Sequence, residues 1–139
     1  MKLLSDGRIL TVGNYVAQYL SNGRSDSSFG TAGKVPLDSL SKPLSLHGTS
    51  INILSNGKII VSGVTYLWTG RTSIVGGFVL RLRYDGSLDS NFGQNGVTLL
   101  NAVVQMSTVQ SDGKIVTSGP ITLGFTDYVF VNRLNKKVV

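Results

Sequence analysis

The apolar positions of this chain come in short runs rich in Ile, Val and Leu, separated by polar turns of Ser, Asn, Asp and Gly. One such run occurs three times. Ser5-Asp6-Gly7-Arg8-Ile9-Leu10-Thr11-Val12-Gly13 returns as Ser55-Asn56-Gly57-Lys58-Ile59-Ile60-Val61-Ser62-Gly63 and as Ser111-Asp112-Gly113-Lys114-Ile115-Val116-Thr117-Ser118-Gly119. The Asp-Gly and Asn-Gly pairs between β-rich runs predict hairpins, with the type I′ turn as the expected connection because those pairs accept positive φ. After each turn the apolar columns are Ile9, Ile59, Ile115 and then Leu10, Ile60, Val116. Adjacent residues of a strand point to opposite faces, so this strand is apolar on both. A sheet with one wet face does not need that; small sheets stacked face to face do.

A second block follows the first. Tyr15-Val16-Ala17-Gln18-Tyr19-Leu20-Ser21-Asn22-Gly23 with Asp26-Ser27-Ser28-Phe29-Gly30 and Gly33-Lys34-Val35 is matched by Phe78-Val79-Leu80-Arg81-Leu82-Arg83-Tyr84-Asp85-Gly86 with Asp89-Ser90-Asn91-Phe92-Gly93 and Gly96-Val97. Its third appearance is Phe130-Val131-Asn132-Arg133-Leu134-Asn135. The repeat units read as a partial copy over 1–36, a full copy over 37–96 and a copy over 97–139 that stops before its Phe-Gly loop. The expected fold is all-β: tandem four-stranded antiparallel sheets stacked as β-propeller-like blades, about two and a half copies and about ten strands, with little or no helix. Phe29 and Phe92, at one slot of a Gly-rich loop, are expected to plug the gap between neighbouring blades.

In these residues the chain resembles the delta-60 repeat family, found in large bacterial proteins. The resemblance rests on Asp112-Gly113-Lys114-Ile115, on the Phe-x-x-Arg strands Phe78–Arg81 and Phe130–Arg133, and on the run from Asp85 to Gly96. It implies a propeller-like fold and assigns no catalytic or binding residue.

Composition narrows the chemistry. Only 14% of the 139 residues are charged, the seven acids are all Asp, and the formal net charge is +6. A pI near 9.8 admits an anionic partner. The basic residues are scattered, however, with no run beyond Lys136-Lys137, and no nucleic-acid partner is expected. Sparse charge with a mean hydropathy of +0.17 points to a surface covered in part by neighbouring protein. Without cysteine there is no disulfide, thiol catalysis or thiolate metal site. No apolar stretch is long enough for a membrane span, and the short one after Met1 does not read as a signal peptide.

Catalysis is not expected. The single histidine, His47, reads as a solvent-facing loop residue, and a set with Asp38 is the minor alternative. Asp85 with Asp89, and Asp26 with Asn22, lack the spacing of a calcium loop and read as turn caps, so no metal and no cofactor is expected. Arg8, Lys58 and Lys114 form a column after the turn, read as charge that blocks unwanted strand pairing.

The candidate contact surface is the segment between the third and fourth strands. It is nearly absent between Gly13 and Tyr15 but long between Gly63 and Phe78 and between Gly119 and Phe130. Insertions at one point of successive repeats emerge on one face. These hold Tyr66, Trp68, Arg71, Phe125 and Tyr128, a mixture typical of interface anchors and sugar-stacking platforms. The expected function is a non-catalytic structural or interaction module. Its expected partners are copies of itself or neighbouring chains of a larger assembly, and its expected setting is extracellular, on a cell surface or in a virion. The alternative is a carbohydrate-binding module using the variable loops.

Overall fold

A computed structural model of the chain describes residues 1–123 and 126–135, with the backbone alone for Thr72 and for residues 121–123 and 126–128. These residues form eleven strands and no helix: β1 (Lys2–Leu3), β2 (Ile9–Val12), β3 (Tyr15–Tyr19), β4 (Lys34–Pro36), β5 (Ser45–Ile53), β6 (Ile59–Trp68), β7 (Thr72–Leu82), β8 (Val97–Leu100), β9 (Met106–Val109), β10 (Ile115–Leu123) and β11 (Thr126–Leu134). The strand beyond the expected ten is β1, two residues pairing with β2 before the first turn.

The strands make three open antiparallel meanders, ordered β1-β2-β3-β4, β5-β6-β7-β8 and β9-β10-β11. The strand after each Phe-Gly loop belongs to the sheet before it. Val97–Leu100 pairs with β7 of the second sheet, and Lys34–Pro36 pairs with β3 of the first. The loop itself causes this. Gln18 N–H donates to the Gly33 carbonyl and Asp26 N–H to the Gln18 carbonyl, so the loop runs back along the β3 edge and hands the chain over as the next strand there. Arg81, Gly96 and Asp89 repeat those bonds on β7. The sequence repeat and the sheet are thus out of phase by one strand.

The turns correct one expectation. Gly7, Gly57 and Gly113 have positive φ, but Asp6, Asn56 and Asp112 do not, so these are not type I′ turns. The glycine N–H instead donates to the residue three before it, Leu4, Leu54 or Gln110. The Asp or Asn side chain accepts from the backbone N–H two residues on, at 3.1, 3.2 and 3.0 Å. This is the three-residue hairpin loop ending on a left-handed glycine. The Asx side chain supplies the acceptor that makes it stable, which a purely φ-based reading overlooks.

The sheets stack as blades. Ile59 and Ile60, adjacent on β6, are both buried, one in the core between sheets one and two, the other in the core between sheets two and three. Leu10 is buried toward the second sheet while Ile9 is half-exposed; Ile115 is buried toward it while Val116 is half-exposed. Phe29 sits in the first inter-sheet core and Phe92 in the second, both fully buried. A polar seam joins β5 and β6 to β9: Asn52 Nδ2 donates to the Ser107 carbonyl at 2.9 Å, and Ser62 Oγ bonds Ser107 Oγ at 2.8 Å.

The repeat-ending glycine is explained by the close approach of β5. A Cβ on Gly63 would run into the His47 carbonyl oxygen and the Gly48 Cα, whereas one on Gly13 would meet nothing. Gly63→Ala should therefore lower stability by about 2 kcal/mol, the usual scale of core overpacking. Gly13→Ala should stay within about 0.5 kcal/mol. Urea unfolding of both variants checks the pair; equal effects would refute the account.

Candidate functional site

The long segments after Gly63 and Gly119 are not loops. They extend β6, β7, β10 and β11 into hairpin arms, in which Thr65 pairs with Gly76 and Trp68 with Thr72 across a bulge at Val75. Tyr66 and Trp68 are two apart on β6 and share a face with Ser45, which pairs with Tyr66, and with His47, which pairs with Val64. Together with Asn14 from the β2–β3 turn they line an open groove of about 360 Å³. Trp68 is 71% exposed and Tyr66 half-buried. Arg71 is exposed in the turn closing the arm, beside Gly70 with positive φ. Phe125 lies outside the described residues. Tyr128 is placed by its backbone alone, on β11 opposite Ile121.

His47 is not a loop residue. It lies within β5, its Nδ1 is 2.7 Å from Asn14 Oδ1, and its ring meets Tyr66 edge-on at 6.5 Å. Its side-chain partners here are thus an amide and an aromatic ring, and Asp38 is exposed. Among the described residues no group of three or more His, Cys, Asp or Glu stands close enough to hold a metal ion.

A second constellation was only half visible in the sequence. Asp26, Asp85 and Asp89 do cap turns, each accepting from the N–H two residues on, at 3.1, 2.9 and 3.3 Å. Asp89, however, also joins the basic column. Its Oδ2 receives Lys58 Nζ at 2.8 Å and Arg81 Nε at 2.7 Å, and its side chain is 1% exposed. The Arg81 guanidinium lies 4.8 Å from the centre of the Phe92 ring. In the first copy Gln18 replaces the arginine, Gln18 Nε2 donates to Asp26 Oδ2 at 2.8 Å, and Arg8 approaches at 3.8 Å. Lys58 is therefore a partner for a buried acid rather than a guard against strand pairing. The eight-residue spacing from Gln18 to Asp26 and from Arg81 to Asp89 was the available signal.

Burial pushes the Asp89 carboxyl up, but the Lys58 and Arg81 hydrogen bonds outweigh it and hold the group at about 2. A carboxylate with a lowered folded pKa gives stability that is whole above its ordinary range near pH 4 and fades as pH falls through about 2. Asp89→Asn should therefore cost about 3 kcal/mol at pH 7, because two cations lose their buried partner. The difference from the unsubstituted chain should shrink as unfolding is followed down to pH 2; a gap independent of pH would contradict the assignment.

Three open meanders stacked through apolar faces, with Phe29 and Phe92 of the two Phe-Gly loops buried between them, define a β-propeller-like repeat protein. Residues 54–92, from the second turn through Phe92, match a family model described as Domain of unknown function (DUF5122) beta-propeller. That span holds the β6–β7 hairpin, Arg81 and Asp89. No curated protein and no solved structure matches the chain.

Proposed function

We propose that the chain is a non-catalytic structural or interaction module, which assembles through its outer sheets with copies of itself or with other chains. One observation carries this reading: the middle sheet is covered on both faces, whereas the third sheet presents Met106, Val129 and Val131 at 68%, 77% and 71% exposure. Apolar side chains at that exposure on one sheet mark a contact surface. The resemblance to delta-60 repeats supports an array in which blades continue, and a bacterial surface or a phage particle is the setting that fits it. Light scattering should find a particle heavier than 14.8 kDa, and Val129→Asp with Val131→Asp should reduce it. A stable 14.8 kDa species at every concentration would overturn self-assembly.

The groove of Asn14, Ser45, His47, Tyr66 and Trp68 supports a second reading, binding of a carbohydrate. An exposed indole beside an amide, a hydroxyl and an imidazole offers a stacking face with hydrogen-bonding groups at its edge. On a glycan panel the unsubstituted protein should retain at least one sugar, and Trp68→Ala should lose it. Retention of none by the unsubstituted protein ends this reading.

A further inference from the structure

The groove beside the β6–β7 arm has a polarity that its residue types alone do not give. His47 Nδ1 stands 2.7 Å from Asn14 Oδ1. An amide oxygen only accepts, so the hydrogen of the neutral imidazole sits on Nδ1 and leaves Nε2 as a bare acceptor. No described residue hydrogen-bonds that second nitrogen. Asn14 is held in place from behind. Its carbonyl accepts the Leu37 N–H at 3.0 Å, and the Gly13 carbonyl accepts the Gly48 N–H at 2.8 Å, which ties the β2–β3 turn to β5 beside His47. Gly48 permits the approach, since a Cβ there would run into the Val12 side chain. The fold thus sets the tautomer of His47.

With the imidazole neutral, the lining carries no charge. Ser45, Tyr66 and Trp68 complete the wall with Asn14 and His47, and Arg71, in the turn that closes the arm, does not line it. The chain as a whole carries a formal +6, which favours an anionic ligand. The groove opposes that preference locally. A carboxylate or sulfate entering it would give up water without gaining a cation, and would face the Nε2 lone pair. A hydroxyl would donate to Nε2, and the C–H face of a pyranose ring would lie against the exposed Trp68 indole. At about 360 Å³ the groove has room for a mono- or disaccharide.

We propose that this groove selects uncharged saccharides, with one hydroxyl donating to His47 Nε2 and one sugar ring stacked on Trp68, and discriminates against acidic ones. The inference rests on the carbohydrate reading and deepens it by fixing the charge class of the ligand.

Trp68 is the only tryptophan of the chain, so its fluorescence reports on the groove directly. The full chain is titrated with lactose, cellobiose and diacetylchitobiose, and with sialyllactose, digalacturonic acid and sulfated chitobiose. At least one neutral sugar should shift the emission saturably, with an affinity at least about tenfold above that of any acidic one. That affinity should not change from low to high salt, because no ion pair forms. His47→Leu should weaken it about tenfold, whereas His47→Gln, which keeps an acceptor, should recover most of the loss. Ser45→Lys, at the exposed start of β5, should bring the acidic sugars to parity or better. Circular dichroism checks that each variant is folded, and calorimetry reads the same titrations for Trp68→Ala. An acidic sugar bound best, through Trp68 and weakened by salt, would overturn the proposal and leave the carbohydrate reading standing. So would neutral binding that is lost in Trp68→Ala yet indifferent to His47→Leu. Binding of no sugar at all overturns that reading as well.

Discussion

A strand that is apolar on both faces is stabilised by a neighbour against each, and that preference organises the stack of sheets. Each fully buried Ile or Leu is favoured by roughly 1.5–3 kcal/mol over its exposed state. Ile59 and Ile60 therefore require a neighbour on each side of β6, and they have one. The outer sheets obey the same rule on one side only. Leu10 and Ile115 are covered by the second sheet, while Ile9 and Val116 face away from it. Val129 and Val131 of β11 are exposed, with no described sheet against them.

Apolar stacking alone would let sheets slide, and the polar groups limit that. Asp89 lies almost wholly out of water, where an unpaired carboxylate would be costly. Its two cations come from one sheet, Lys58 from the turn just before β6 and Arg81 from β7, and the loop that carries it also carries Phe92 into the neighbouring interface. One short loop therefore ties the cohesion of a sheet to its fit against the next. The first copy reaches a similar end with Gln18 and Ser28, whose Oγ donates to Asp26 Oδ1 at 2.6 Å. The substitution is tolerable because Asp26 is less enclosed than Asp89, with 10% against 1% of its side chain exposed.

Beyond this frame the chain spends its variability on the hairpin arms. The β6–β7 arm extends past the stacked region and ends at Arg71, with Trp68 on one face and Val75 bulged between Ile74 and Gly76. A bulge adds twist and re-aims the strand end. It is this turn of the arm, together with the β2–β3 turn of the preceding sheet, that gathers Asn14, His47, Tyr66 and Trp68 into one groove.

The sequence by itself determined the all-β class, the three hairpins, the stacking of sheets and the interblade position of Phe29 and Phe92. Those follow from local turn chemistry and from two apolar columns on adjacent residues, information that does not depend on where distant segments go. Tertiary structure decided the rest. It assigned the strand after each Phe-Gly loop to the preceding sheet, since that depends on bonds from Gln18 and Arg81 to glycines far along the chain. It turned the long insertions into paired arms, and it moved His47 from an expected loop into β5 beside Asn14. It also brought Lys58 to Asp89 across thirty-one residues of sequence. A side chain's charge is legible in one residue, but its partner is fixed only when the strands have found their register.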